Sequence, residues 1–200
     1  IDLENVRYAD GSGVVTTEAL TGDLPITGVS IAMVSFATSA DTKLKISTDS
    51  TPLATVVLVD DTNDTNDVVL LKGKMVLEGT SSVLVDTFPV TFTATGAAVA
   101  PYAEAVASSV KLTIAGKEFT KTMTAGASAV VVTFDNLDLT ISAGSTVNFT
   151  VSADINDTNA TVGPAVNFDE GDTLKAELLS ANRTAMDVEN SQGDQLADST

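Results

Sequence analysis

All-β is the fold class this sequence predicts, and three observations predict it. Apolar residues alternate with polar ones at period two along most of the chain, while helical periodicity is nearly absent. The composition is rich in Val, Thr, Ala and Ser, with 13 Gly and 5 Pro, the usage of sheets and turns. Short strand patterns recur at regular spacing, punctuated by Gly, Asn and Asp, which favours packed antiparallel sheets in a β-sandwich. The Cys…Trp…Cys hallmark of antibody domains is missing, so the expectation is an Ig-like sandwich in the loose, topological sense.

Taken in order, Val29, Ile31 and Met33 share one strand face, and Leu44 and Ile46 share the next. Ala54 to Val59 reads as a further strand. Leu71, Met75 and Leu77 alternate with Lys72, Lys74 and Glu78, giving a strand with one wet face. Phe88, Val90 and Phe92 alternate with Pro89, Thr91 and Thr93. Pro89 lacks a donor, which puts that strand at an edge or near its own start. Ala97 to Ser109 is the one stretch able to hold a helical turn or a broad loop. Val110, Leu112 and Ile114 lead into Ala115-Gly116 and a returning run to Met123, a hairpin. Val130, Val132 and Phe134 follow, then a turn at Asp135-Asn136, then Leu137, Leu139 and Ile141. Ala143-Gly144-Ser145 turns the chain into Val147, Phe149 and Val151, and Leu174, Ala176 and Leu178 form a late strand.

Two Asx-rich loops stand out. The first is Asp60-Asp61-Thr62-Asn63-Asp64-Thr65-Asn66-Asp67. The second, Asp154-Ile155-Asn156-Asp157-Thr158-Asn159, repeats it at an offset of 93, the separation of Asp61 and Asp154. The same offset aligns Leu44 and Ile46 with Leu137 and Leu139, and Val56 and Leu58 with Phe149 and Val151. Calcium takes about six to eight oxygen ligands from carboxylates, amides and carbonyls at flexible spacing. Asp60, Asp61, Asn63, Asp64, Asn66 and Asp67, and again Asp154, Asn156, Asp157 and Asn159, offer that density and are candidate calcium ligands. Asp169, Glu170 and Asp172 are expected nearby. The competing reading is a pair of solvated Asx turns, since Asn and Asp are common turn residues. Asn63, Asn148, Asn156, Asn159 and Asn182 each open an Asn-x-Thr sequon, a glycan acceptor in an exported protein that is glycosylated.

The charge narrows the partners. With 27 acidic against 10 basic residues the formal net charge is −17, which repels a nucleic-acid backbone and anionic membrane surfaces. No apolar run is long enough for a membrane helix. The sequence has no Cys, His or Trp, which excludes disulfides, the usual zinc sites and a Ser-His-Asp triad. Asp169 and Glu170 lack the aromatic-lined cleft and the partner His that paired catalytic carboxylates use, and they read as a solvated face. Isopeptide links from Lys72 or Lys74 to Asn or Asp are a minor alternative.

A second internal match sets the expected organisation. Met186-Asp187-Val188-Glu189-Asn190 mirrors Ile1-Asp2-Leu3-Glu4-Asn5 at an offset of 185, the separation of Ile1 and Met186. A tandem array with that repeat length is the simplest reading, and chance similarity of five residues is the competing one. The expected division is residues 1–13 as an N-terminal strand and linker, 14–65 as a first β-unit, and 66–200 as an Ig-like sandwich, or one elaborated sandwich if the two units share sheets. The chain begins at Ile1 without an initiator Met or signal peptide, so a processed product or an excised piece is expected. Ile1 to Tyr8, followed by the linker Ala9-Asp10-Gly11-Ser12-Gly13, is expected to serve as a donor strand, closing a preceding unit or entering a neighbouring subunit; the alternative is a strand that folds back into its own sheet.

Several runs carry a resemblance. They are Val34-Ser35-Phe36-Ala37-Thr38-Ser39-Ala40-Asp41, Val57-Leu58-Val59-Asp60-Asp61-Thr62-Asn63, Asp86-Thr87-Phe88-Pro89-Val90-Thr91-Phe92-Thr93, Phe134-Asp135-Asn136-Leu137-Asp138-Leu139-Thr140-Ile141-Ser142-Ala143-Gly144 and Val151-Ser152-Ala153-Asp154-Ile155. Together they make the chain, from about Gly28 to Asp194, similar to the repeated Ig-like β-sandwich domains of large secreted cell-surface proteins of candidate-phyla (Patescibacteria-type) bacteria. The resemblance implies an exported, repetitive, non-enzymatic surface protein, and it supplies no catalytic residues. The expected function is therefore a structural unit of an extracellular array, filament or surface layer, contacting copies of itself or adjacent repeats head to tail. The alternative is an adhesin-type domain that binds host or cell-surface glycans.

Overall fold

The computed structural model describes residues 42–49, 56–96, 101–123, 126–158 and 168–196, together with the backbone of 5–9 and 15–19. The chain divides into two compact units, Ile1–Phe36 and Ala37–Thr200. The first contains a hairpin of β1 (Asn5–Ala9) and β2 (Val15–Ala19), paired antiparallel from Asn5↔Ala19 to Ala9↔Val15. That pairing corrects one expectation. Asn5 to Ala9 is not unpaired, because Val15 to Ala19 supplies its backbone partners; residues 10–13 of the expected linker lie outside the described residues. Val29 to Met33 lies outside the described residues.

The second unit is mostly antiparallel β-structure around one core. Its largest sheet has the order β3-β4-β11-β7-β8, from β3 (Lys43–Thr48), β4 (Thr65–Glu78), β7 (Ala107–Ile114), β8 (Lys117–Thr122) and β11 (Thr146–Ile155). The hairpin between β7 and β8 turns at Ala115 (φ 50°) and Gly116 (φ 77°). Positive φ at both central residues is the tight-turn geometry whose twist matches that of the strands. The expected division at 65/66 falls at the first residue of β4. Since β4 pairs with β3 along Lys43↔Glu78 to Thr48↔Gly73, residues before and after that point share a sheet.

Among the described residues, two three-stranded sheets contribute the rest of this unit's named strands. One is β12-β6-β9, from β6 (Phe88–Thr95), β9 (Ala129–Phe134) and β12 (Thr173–Glu177). The other is β10-β5-β13, from β5 (Val83–Val85), β10 (Leu139–Ile141) and β13 (Val188–Asn190). The three chain segments run through both in the same order. β5 continues into β6 across Asp86-Thr87, β9 into β10 across residues 135–138, and β12 into β13 across a segment holding helix α2 (Ser180–Thr184). The break is stitched by backbone bonds from Asp86 N–H to Asp187 O (2.9 Å) and from Leu137 N–H to Asp86 O (3.0 Å). Pro89, expected at an edge or near a strand start, is the second residue of the central strand β6. β12 covers only Thr91 to Thr95, so a missing N–H at Pro89 costs no bond to that neighbour.

The burial pattern follows the alternation. Met75, Leu77, Val110, Leu112, Ile114, Phe149 and Val151 of the larger sheet pack in one cluster with Val83, Val85, Phe88, Val90, Phe92, Val130, Val132 and Phe134 of the others. The Phe88 and Phe149 rings meet with centroids 5.1 Å apart and planes tilted by 59°, a favourable aromatic geometry. Ala54 to Val59, expected as a strand, is not one over its described residues 56–59, and Val56 and Leu58 are 93% and 90% exposed.

Candidate functional site

The two Asx-rich loops, 93 residues apart in sequence, lie side by side at one end of the larger sheet. β11 runs antiparallel to β4 with Ile155 opposite Thr65, so the end of one strand meets the start of the other. Asp157 N–H donates to Asp64 Oδ1 (2.9 Å), and Thr158 N–H donates to Asp60 O (3.3 Å). The internal match thus becomes a physical contact between its two halves. Asn159 lies outside the described residues.

Two β-bulges explain which side chains this junction needs. Between Ala153↔Val68 and Ile155↔Thr65, β4 carries one residue more than β11, and Asp67 there has φ 58°. A bulge takes a backbone N–H out of the ladder. Asp67 N–H is accepted instead by Asp154 Oδ1 (2.9 Å), whose other oxygen accepts from Ser109 Oγ (2.7 Å). The Asp67 carboxylate is held in turn by Lys111 Nζ (2.6 Å). On the far side of β11, the pairs Asp154↔Ser109 and Ile155↔Ala107 leave Ser108 of β7 as the extra residue. Ser108 N–H is accepted by Asn156 Oδ1 (3.2 Å).

Asn156 does more. It is buried, and its Nδ2 donates to Glu104 O (2.8 Å) and Ala105 O (3.0 Å). Those carbonyls belong to helix α1 (Ala103–Val106), a single turn where a helical turn or loop was expected. Its other ties are Ala103 N–H to Ala127 O (2.9 Å) and the buried Glu104 carboxylate, which accepts Gly126 N–H with both oxygens (2.7 and 2.8 Å). Three hydrogen-bonding positions of the Asn156 amide are therefore spent on backbone. Its nitrogen, the atom a glycan would occupy, faces carbonyls and not solvent.

The other proposed side chains divide the same way. Asp60 Oδ1 accepts from Thr62 N–H (2.8 Å) and Thr62 Oγ (2.7 Å), an Asx turn. Thr62 is also what holds the Asp60 carboxyl below its ordinary value, its hydroxyl bond first and its backbone bond second. Asp61, Asn63, Asp64, Asn66 and Asp67 are exposed, and Asp157 is half-buried. Asn148 is exposed on β11, opposite Lys74. Asn182 is buried in α2, where its Oδ1 accepts from Leu179 N–H (2.7 Å) and Thr91 Oγ (3.0 Å). Among the described residues no three acidic side chains converge as a metal cluster would require. Asp169 N–H donates to Asp172 Oδ2 (2.8 Å), a second small Asx turn separate from the junction.

Asp154 is held below the ordinary carboxylate value of 3.8, chiefly by the Asp67 N–H, with burial opposing and Ser109 and Lys111 adding. A carboxyl with a depressed folded pKa contributes stability that is present above its unfolded value and lost as pH falls through the folded one. Asp154→Asn is therefore expected to lower stability by about 1 kcal/mol at pH 7, the scale of a charge-assisted bond reduced to a neutral one. The difference from wild type should close as pH drops below about 4. Urea titrations at pH 7 and pH 3 check this; a gap of equal size at both would show that the charge on Asp154 contributes nothing.

No family model, curated protein or solved structure matches the chain.

Proposed function

We propose that this chain is a non-enzymatic structural unit of an extracellular array, filament or surface layer, assembling head to tail through β-strand pairing. The observation that carries the reading is the use made of the Asx side chains. Asp154, Asn156, Asp60 and Asp64 each accept or donate to backbone of a neighbouring turn, strand or loop. The groups with the most chemistry to offer serve to fasten the sheet. The net charge of −17 suits a solvated surface, and the two internal sequence matches suit a repetitive assembly.

Assembly is tested directly. Purified full-length chain, concentrated and followed by light scattering and negative-stain imaging, should form linear oligomers or filaments. A monodisperse monomer at every concentration would remove the reading. Calcium enters this proposal only as a reinforcement of the junction: a cation bound at the Asx-rich loops would offset the repulsion among their carboxylates and raise the melting temperature by mass action. Melting curves that coincide in millimolar calcium and in chelator would leave hydrogen bonds as the ties between the loops.

The adhesin reading has one feature to draw on, a shallow hollow lined by Ser82, Leu84, Thr140, Glu189 and Asn190. Hydroxyls and a carboxylate there suit a sugar, and a glycan array would detect it.

A further inference from the structure

Each position of Met186-Asp187-Val188-Glu189-Asn190 has a job in the fold. Met186 and Val188 are buried, at 9% and 6% exposure, as part of the core. Asp187 receives the Asp86 N–H on its carbonyl, and its own N–H donates to Thr87 Oγ (2.8 Å). Val188, Glu189 and Asn190 pair with Val85, Leu84 and Val83 of β5. Asn190 ends the strand: its Oδ1 accepts Gln192 N–H (2.9 Å) and Asp194 N–H (3.0 Å).

Ile1-Asp2-Leu3-Glu4-Asn5 reproduces that pattern. The two segments differ only where Ile stands for Met186 and Leu for Val188, apolar for apolar at both buried positions. Such exchanges are the ones a packed core tolerates best. The copy ends at Asn5, the first residue of β1, so it lies immediately upstream of the hairpin. Ile1 to Glu4 themselves lie outside the described residues.

Resting on the head-to-tail reading above, we propose that the edge of β5 is a strand-accepting site and that its partner is Ile1–Asn5 of a second copy of this chain. That place beside β5 is filled here by the chain's own Val188–Asn190, which the following turn tethers through Leu196 N–H to Val188 O (2.8 Å). Entry of the second copy's segment therefore displaces β13, with Leu3 taking the place of Val188 and Glu4 coming opposite Leu84. The contact is heterologous, donor end to acceptor edge, so it extends into a line. Unlike generic edge pairing, it specifies register.

The absence of cysteine makes the register testable. In full-length chain carrying Glu4→Cys and Leu84→Cys, refolded from denaturant at rising concentration and treated with a short bis-thiol reagent, linked dimers and longer chains should form. Their yield should rise when Val188→Asp weakens the resident strand. Glu189→Cys with Leu84→Cys should give a linked monomer and calibrates the reagent. If the calibrating pair links while Glu4→Cys and Leu84→Cys gives only unlinked or internally linked monomer, the proposal is overturned. Met186→Ile with Val188→Leu, which turns the resident strand into the N-terminal sequence, should leave the melting temperature within about 5 °C of wild type. A fall well beyond that means Ile1–Asn5 does not fit beside β5. Filaments without the Glu4–Leu84 link would overturn this inference and leave head-to-tail assembly standing; monomer throughout would overturn both.

Discussion

Replacing Asn156 with Ala is expected to cost about 3–5 kcal/mol. Three backbone groups lose their partner together: the Ser108 N–H and the carbonyls of Glu104 and Ala105. A buried polar group left without a bond costs about 1–3 kcal/mol. Relaxation of α1 and entry of water set the total below three full penalties. Urea unfolding followed by circular dichroism gives the number, and a loss under about 1 kcal/mol would mean that α1 is not pinned through this side chain. Asn156→Asp refines the test. It keeps the acceptor for Ser108 but turns an oxygen towards two carbonyls, so it should be at least as damaging at pH 7 and improve as the carboxyl protonates. A metal ligand or a glycan acceptor at this position would predict a different result, with little effect on the bare chain.

Gly73→Ala is the second large effect, expected at about 3 kcal/mol. A Cβ at Gly73 would sit 2.4 Å from Phe149 Cζ and 2.5 Å from the Ser47 carbonyl oxygen. Phe149 is buried beside Phe88, and the Ser47 oxygen belongs to the backbone of β3, so neither moves cheaply. Forced overpacking of this kind costs about 1–3 kcal/mol or more. For a chain of this size that is a fall of about 6–12 °C in melting temperature. Gly73→Ala with Phe149→Leu relieves the ring contact but not the carbonyl, and it creates a void, so it should not restore wild-type stability. A melting point within about 2 °C of wild type for Gly73→Ala would show that β3 shifts freely against β4.

The sheets were legible because their strands bury one face. Leu71, Met75 and Leu77 on β4, Val130, Val132 and Phe134 on β9, and the turn at Ala115-Gly116 stand where the alternation puts them. Val56 to Val59 misled because alternation reports apolar character and not whether the segment joins a sheet. Helix α2 was missed because its cap is internal: Asn182, read as a sequon, accepts the Leu179 N–H and holds the turn. The Asx loops were found, but as two separate sites. What joins them is a pair of bulges, and a bulge depends on counting residues against a partner strand, which one strand's sequence does not show. Asn156 looks like any other Asn of its loop, although it alone among the loops' described Asx residues is buried. The position of Ser108 one residue out of register is its cause.

The break that splits β5 from β6, β9 from β10 and β12 from β13 at a common level has a consequence for how the molecule comes apart. β5, β10 and β13 are three residues long, whereas β6, β9 and β12 across the break are eight, six and five. Cooperative opening scales with the buried contacts each segment shares with the rest. The short half can therefore fray while the long half stays closed, and strand exchange at β5 does not require global unfolding. The crease works as a perforation: it decides where the domain tears, and it leaves the remainder intact to reseal.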